Sequence, residues 1–439
     1  MDHIKTLRHE IIKELQKQNY SLSMFSNLSG VNRGILSSTL NSDNPKPISI
    51  NQLDRMGKAL QKPQGWLYEI FIQELFGVRD NLNWRRIRAL LLNCIEINQF
   101  DWIRYIVDMS LEKYEYIEKV FELAEELVHQ EKLDAAMICY QSIVDNERYS
   151  HSERLAISYY RMYMINRDQN IEDDYQTAVL MQQYQKHLPD HLRLQALTHA
   201  AGTYYWVKNW ILLEQCADEL ISLTNRILNK FPKTTYTDPY FHLDIPRPFV
   251  RYYGQSYLIK GTFYEHTGDY EKALEYAYRY YDLTHLRGIS EESDYEIDKL
   301  YIYAQGNIYG MNLHMSKFEI LDNYVDFLKQ NPEEIVPGLL LILTVANRQN
   351  TNVDWIVKLF ENQIDSFLTN KSKTYYASSA VDGYFVNMVY QLALYQSKQK
   401  KNYKQLQRTL KTFERSASRY NMKRTIDMTP LLTKLIQLP

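Results

Sequence analysis

A stripe of apolar side chains at spacings of 3, 4 and 3 recurs along this chain, and it limits the fold more than any other feature. Tyr270, Ala273, Ala277 and Tyr280 form one copy. Others are Leu133, Ala136, Tyr140, Ile143; Trp210, Leu213, Ala217, Leu220; Phe318, Leu321, Val325, Leu328; and Tyr403, Leu406, Leu410, Phe413. Such spacing puts four side chains on one face of an α-helix. Each stripe comes after a short polar turn (Gln130-Glu131-Lys132, Lys208-Asn209, Thr267-Gly268-Asp269, Ser316-Lys317, Lys401-Asn402), with another helix expected before it. A weaker copy starts at Tyr175 with Ala178, and another lies near Trp355. Any amphipathic helix can show one stripe. Recurrence after a turn, an aromatic first position in most copies and an internal Ala in several argue for stacked helical pairs. The copies lie roughly 35 to 60 residues apart, so the pairs are degenerate and carry insertions. Such pairs stack into a right-handed superhelix whose concave face suits a peptide or protein ligand.

The rest of the chain fits an all-α protein. Glycine (14) and proline (12) are scarce among 439 residues, and alternating apolar runs joined by hairpin turns are missing. A hydrophobic content of 45% with 24% charged residues excludes a disordered chain. Tyrosine is over-used, at 37, which suits either an amphipathic groove or packing between repeats. The net charge of −2 means that any contact with nucleic acid is local. No apolar run approaches the roughly 18–20 residues that cross a membrane. Met1-Asp2-His3-Ile4-Lys5 lacks the apolar core of a secretion signal, and Cys94, Cys139 and Cys216 are isolated thiols suited to a reducing cytoplasm. A cytoplasmic location without membrane contact is expected. Pro232, Pro239, Pro246 and Pro248 mark a long loop, or two helices separated by one.

Residues 1–76 read differently. Ile4, Leu7, Ile11 and Leu15 share one helical face over about residues 3–18. Beyond that helix, Ser26 allows two helices to cross closely and Gly30 permits a tight turn with positive φ. Val31 plugs the core, Asn32 caps the next helix, and Leu36 and Leu40 anchor it inward. Arg33, Gly34, Ser37, Ser38 and Asn41 are left facing outward, which makes a helix-turn-helix. Asn44-Pro45-Lys46-Pro47 is then a loop, Ser49-Ile50-Asn51-Gln52 a capping box, Ile50, Leu53, Met56 and Leu60 a fourth helix, and Gly65-Trp66-Leu67-Tyr68-Glu69 the start of a fifth. Nine Lys/Arg face seven Asp/Glu in this segment, so it is only mildly basic; Arg85, Arg86 and Arg88 could add to a DNA contact. The organisation expected is 1–76 for DNA binding, a linker helix over 77–98, and repeats over 99–439.

Phe25-Ser26-Asn27-Leu28-Ser29-Gly30-Val31-Asn32, together with Leu36-Ser37, resembles the Xre-type DNA-binding domain of phage repressors. Leu40 departs from it, standing where Glu is common, and Gly34 inside the recognition helix costs about 1 kcal/mol relative to Ala. That resemblance implies double-stranded DNA with a palindromic operator as a partner, read by Asn32, Arg33, Gly34, Ser37, Ser38 and Asn41. Gly261, Tyr264, Gly268, Tyr270, Ala273 and Ala277 resemble the tetratricopeptide consensus, in which Gly lets paired helices approach. The two together resemble the cytoplasmic peptide-pheromone receptors of Gram-positive bacteria and their phages, the group of Rap, Rgg, NprR, PlcR, PrgX and the arbitrium receptors. The resemblance implies a homodimeric quorum-sensing regulator whose repeats hold a short signalling peptide. It implies that Asn side chains clamp the peptide backbone; the repeat frame gives Gln255, Thr262, His266, Tyr303, Asn307, Asn347 and Asn387 as groove candidates, with Tyr205 as an aromatic wall.

Nothing points to catalysis. P-loop, dinucleotide-binding and GxSxG motifs are missing, no HExxH occurs, and the eleven His lack ligand spacing, so neither cofactor nor metal is expected. Two other readings stay open: a pure interaction protein, and an effector acting on response-regulator phosphorylation, as some of the resembled receptors do. The basic run Lys398, Lys400, Lys401, Lys404, Arg408, Lys411, Arg415, Arg419, Lys423 and Arg424 reads as the solvated face of a capping repeat or as a contact for DNA or an acidic partner.

Overall fold

The computed structural model describes residues 6–42, 46–77, 83–147, 152–167, 170–230, 243–364, 379–399, 406, 407 and 409–411. Among them there are α-helices and single turns of 3-10 helix, and no strand. None of these helices is long and apolar enough to cross a membrane. The chain divides into two compact units, Met1–Ile165 and Asn166–Pro439.

The first unit holds α1 (Leu7–Lys17), α2 (Leu22–Ser29), α3 (Arg33–Leu40), α4 (Ile50–Ala59), α5 (Tyr68–Gly77), α6 (Trp84–Glu96), α7 (Phe100–Leu111), α8 (Ile117–His129), α9 (Leu133–Glu147) and α10 (Glu153–Asn166). The second holds α11 (Ile171–Tyr184), α12 (Asp190–Trp206), α13 (Trp210–Lys230), α14 (Phe249–Thr267), α15 (Tyr270–Tyr281), α16 (Glu291–His314), α17 (Leu321–Gln330), α18 (Ile335–Gln349), α19 (Asp354–Leu359) and α20 (Ser379–Gln399).

One helix ending repeats through both units. The chain leaves the helix through a residue in the left-handed region, and the next N–H donates back across the last turn, satisfying a carbonyl that would otherwise lack a partner. After α8 this residue is Glu131, with Lys132 N–H bound to Leu127 O at 2.9 Å. After α12 it is Lys208, after α14 Gly268, after α16 Ser316 and after α18 Asn350. Asn98 does the same between α6 and α7, so the helix expected as a linker is joined to its successor as the paired helices are. A side chain in this conformation is strained, and Gly relieves the strain at the cost of unfolded-state freedom. Gly268→Ala is therefore expected to destabilise the second unit by about 1 kcal/mol, and Lys208→Gly to stabilise it by about half as much. Urea unfolding of the two variants checks both signs.

The stripes supply the cores. Ala273, Ala277 and Tyr280 are buried on α15, as are Ala136, Tyr140 and Ile143 on α9, and Leu213, Ala217 and Leu220 on α13. Leu133 departs from the expectation and is 40% exposed, because the first stripe position lies beside the turn and outside the layer between helices. Phe318 opens a 3-10 turn, Phe318–Ile320, so that copy is kinked; Trp355 stands exposed on the six-residue α19. Tyr403 and Phe413 lie outside the described residues. In the second unit the first helices of successive pairs also touch, α12 on α14, α14 on α16 and α16 on α18. Close approaches there are at Gly254 of α14, where a Cβ would overlap buried Leu300 of α16, and at Gly310 of α16, where it would overlap Leu341 of α18. A Cβ at Gly261, the glycine expected to matter, would meet only ordinary contacts at 3.5 Å.

Candidate functional site

The first candidate is the α2–α3 corner. Ser21 accepts from Met24 N and caps α2; Asn32 accepts from Gly34 N and caps α3. Between them Gly30 has φ 65°, and Ser26 Oγ donates to Val31 O at 2.8 Å. Val31, Leu36, Thr39 and Leu40 are buried, which fixes the inward face of α3. Asn32, Arg33, Gly34, Ser37 and Asn41 are exposed on the other face, together with the half-buried Ser38, whose hydroxyl donates to Ile35 O. The structure thus brings the six residues onto one surface of one eight-residue helix and its caps. Exposed Met24, Leu28 and Ile35 on the same two helices give them an apolar component that sequence reading missed.

The corner is fastened to the helices beyond it. The Asp54 carboxylate accepts from Tyr68 Oη at 2.7 Å and from Asn93 Nδ2 at 2.8 Å, linking α4, α5 and α6. Burial raises the Asp54 pKa, against the Tyr68 hydrogen bond that lowers it. Arg86 and Arg88, expected as additional phosphate contacts, are otherwise engaged. Arg86 donates to Ile48 O at 3.2 Å and lies over Phe71; Arg88 grips both oxygens of Glu126 on α8. Arg85 remains exposed.

The second candidate lies in the second unit, on the first helices of its pairs. Tyr205 and His266 come together, with ring centroids 5.4 Å apart, and Trp210 stacks on His266 at 4.5 Å. Tyr270 stacks on His314 in the same way, also at 4.5 Å, one pair further along. Trp206, His266, His314 and Arg348 each stand two residues before a left-handed turn residue, so successive pairs place them at equivalent points. That equivalence was readable from the turns; the partners of Trp206 were not. Its ring meets Tyr384 of α20 at 6.4 Å, and Tyr384 also lies beside Tyr205. Burial, then the neighbouring Tyr384 and Glu265, push the Tyr205 hydroxyl well above its ordinary range. Burial lowers the His266 pKa, helped by His314 and Lys208.

The remaining candidates are more scattered. Gln255 and Asn347 each have a buried side-chain oxygen with no hydrogen-bond partner, while Asn347 Nδ2 donates to Gln391 O and Oε1 at 2.8 and 2.9 Å. Asn307 Nδ2 donates to Tyr280 Oη at 2.7 Å, and Thr262 Oγ1 donates back to Leu258 O, so both are engaged in helix packing. Tyr303 is half-buried with Lys299 5.9 Å from its ring centroid; Asn387 is half-buried on α20. Of the basic run, Lys398 turns inward and donates to Asn347 O, and Lys411 is exposed; the others lie outside the described residues. Glu334 closes a 3-10 turn before α18, with Oε2 3.4 Å from the place a Gly306 Cβ would take. Groups of His, Cys, Asp and Glu able to hold a metal do not occur among the described residues. Comparison with protein-family models, with curated proteins and with solved structures finds no match to this chain.

Proposed function

We propose that the chain is a DNA-binding transcriptional regulator controlled by a short peptide. In this reading α2 and α3 form a helix-turn-helix, α3 enters the major groove, and the chain acts as a homodimer on a palindromic operator. The helical pairs form a tetratricopeptide-like superhelix whose first helices receive the peptide. The observation that carries the reading is α3: one face locked by buried Leu36, Thr39 and Leu40, the other exposing Arg33, Ser37 and Asn41. The buried, unpaired oxygens of Gln255 and Asn347 support the peptide part, since a backbone N–H is the donor such oxygens need.

The test is binding of the purified protein to DNA upstream of its own gene, with and without synthetic peptides from small neighbouring reading frames. Specific binding altered by one peptide is the expected result; absence of specific binding removes the proposal. Arg33→Ala is expected to lower specific affinity about tenfold or more, in line with loss of a bidentate guanine contact, and to leave helix content unchanged. Equal affinities for wild type and variant in a gel-shift titration would move the recognition surface off α3.

A further inference from the structure

Tyr384 makes a contact that a linear stack of helical pairs does not require. Its helix, α20, packs along α18. Its ring nevertheless meets Trp206 at the end of α12, with centroids 6.4 Å apart, and lies beside Tyr205. In a nearest-neighbour array each pair touches the next, so packing alone does not join α12 to α20. The place that receives Tyr384 is built from rings. Tyr205 lies edge-on to Trp206 at 5.3 Å and to Trp210 at 6.2 Å, and His266 lies at 5.4 Å, braced by its stack on Trp210. A phenol ring suits such a site, since its ring packs on the neighbouring rings while its hydroxyl keeps a polar end beside the Tyr205 hydroxyl. Glu265, on α14 next to His266, adds a negative field that favours a neutral donor over an anion.

We propose that Tyr205, Trp206 and their neighbours form a subsite for an aromatic side chain of a bound peptide, and that Tyr384 occupies it as an internal stand-in. A ligand must displace Tyr384 to bind, so its apparent affinity is the intrinsic affinity multiplied by the fraction of molecules in which the subsite is empty. The proposal deepens the peptide-receptor reading by naming a ligand class, an aromatic-bearing peptide, and by placing one restraint on its entry. It makes no use of the DNA-binding corner.

The experiment uses N-acetyl-tyrosinamide as the probe and the full chain as the receptor, so neither the cognate peptide nor DNA is needed. Binding is read by saturation-transfer NMR and by tryptophan fluorescence. Tyr384→Ala is expected to bind the probe at least about tenfold more tightly than wild type, and Trp206→Ala in that background to abolish the gain. N-acetyl-leucinamide is expected to show no such difference. Far-UV circular dichroism verifies the fold, and Tyr384→Ser replaces the Ala variant if helix content falls. The inference is overturned if the probe binds wild type and both Tyr384 variants alike, or none of them, or if the gain survives Trp206→Ala. Failure of DNA binding with a positive probe result would remove the regulator reading and leave this subsite standing.

Discussion

Glu334→Gln is expected to stabilise the second unit by about 2 kcal/mol at pH 8 and by nothing measurable near pH 4.5. Burial, reinforced by adjacent Glu333 and opposed by Lys299, pushes the Glu334 carboxyl up to about 7 from its ordinary 4.5. The folded chain therefore keeps this proton to a higher pH than the unfolded chain does. As pH rises between those two values, the unfolded state releases its proton first, and stability falls across that window. Below it the carboxyl is neutral in both states and costs nothing extra. Above about 7 the full penalty is present, and glutamine, which cannot ionise, escapes it. Converting the whole interval at roughly 1.4 kcal/mol per pH unit gives an upper bound near 3 kcal/mol, which relaxation and water entry reduce. Urea midpoints for wild type and variant at pH 4.5, 6 and 8 decide the matter; a constant offset across that range would show that the carboxyl carries no such penalty.

Arg154→Ala is expected to cost the first unit about 3 kcal/mol, because it strands a buried carboxylate. Glu147 on α9 is 3% exposed, and Arg154 of α10 meets it along two edges, with Nε to Oε2 at 3.0 Å. The same guanidinium bridges to Glu118 of α8, so one side chain ties three helices. Ser152 Oγ, 3.2 Å from Glu147 Oε2, cannot replace a cation. The double variant Arg154→Met with Glu147→Gln is expected to recover much of the loss, since it removes both charges and keeps most of the volume. Chemical unfolding of wild type, single and double variants completes the cycle; a single-variant loss under about 1 kcal/mol would make the clamp a surface pair in effect.

The helices and their buried stripes were legible because helical periodicity is local. Ala273, Ala277 and Tyr280 declare their face within a dozen residues, and the Ser49–Gln52 capping box and the left-handed Gly30 rest on groups within one turn. What the sequence left hidden depends on distance along the chain. Nothing near Arg88 announces Glu126, and nothing near Trp206 announces Tyr384. Arg86 and Arg88 read as free cations because a cationic run looks alike whether it faces water or a carbonyl. The recurring turns were seen as polar breaks, but their common geometry was concealed by using Glu131, Lys208 and Ser316 where glycine would have advertised it. Of the ligand candidates, Tyr205 and His266 were brought together by the repeat frame that suggested them. Asn307 was spent on Tyr280, a demand internal to the packing that spacing does not reveal.

The fastening of α4 and α5 to α6 has a mechanical consequence. Asp54 holds Tyr68 and Asn93 at once, Arg86 reaches back to Ile48, and Trp102 of α7 lies 5.9 Å from the Tyr68 ring. Helices α4, α5 and α6 are thus tied together through one carboxylate. Turning α3 and α4 against α6 would break the hydrogen bonds of a half-buried carboxylate, whereas carrying α6 and α7 along leaves every one of these bonds intact. Any swing of the α2–α3 corner that keeps these bonds therefore carries α6 and α7 with it, so the length of chain that turns runs past residue 77.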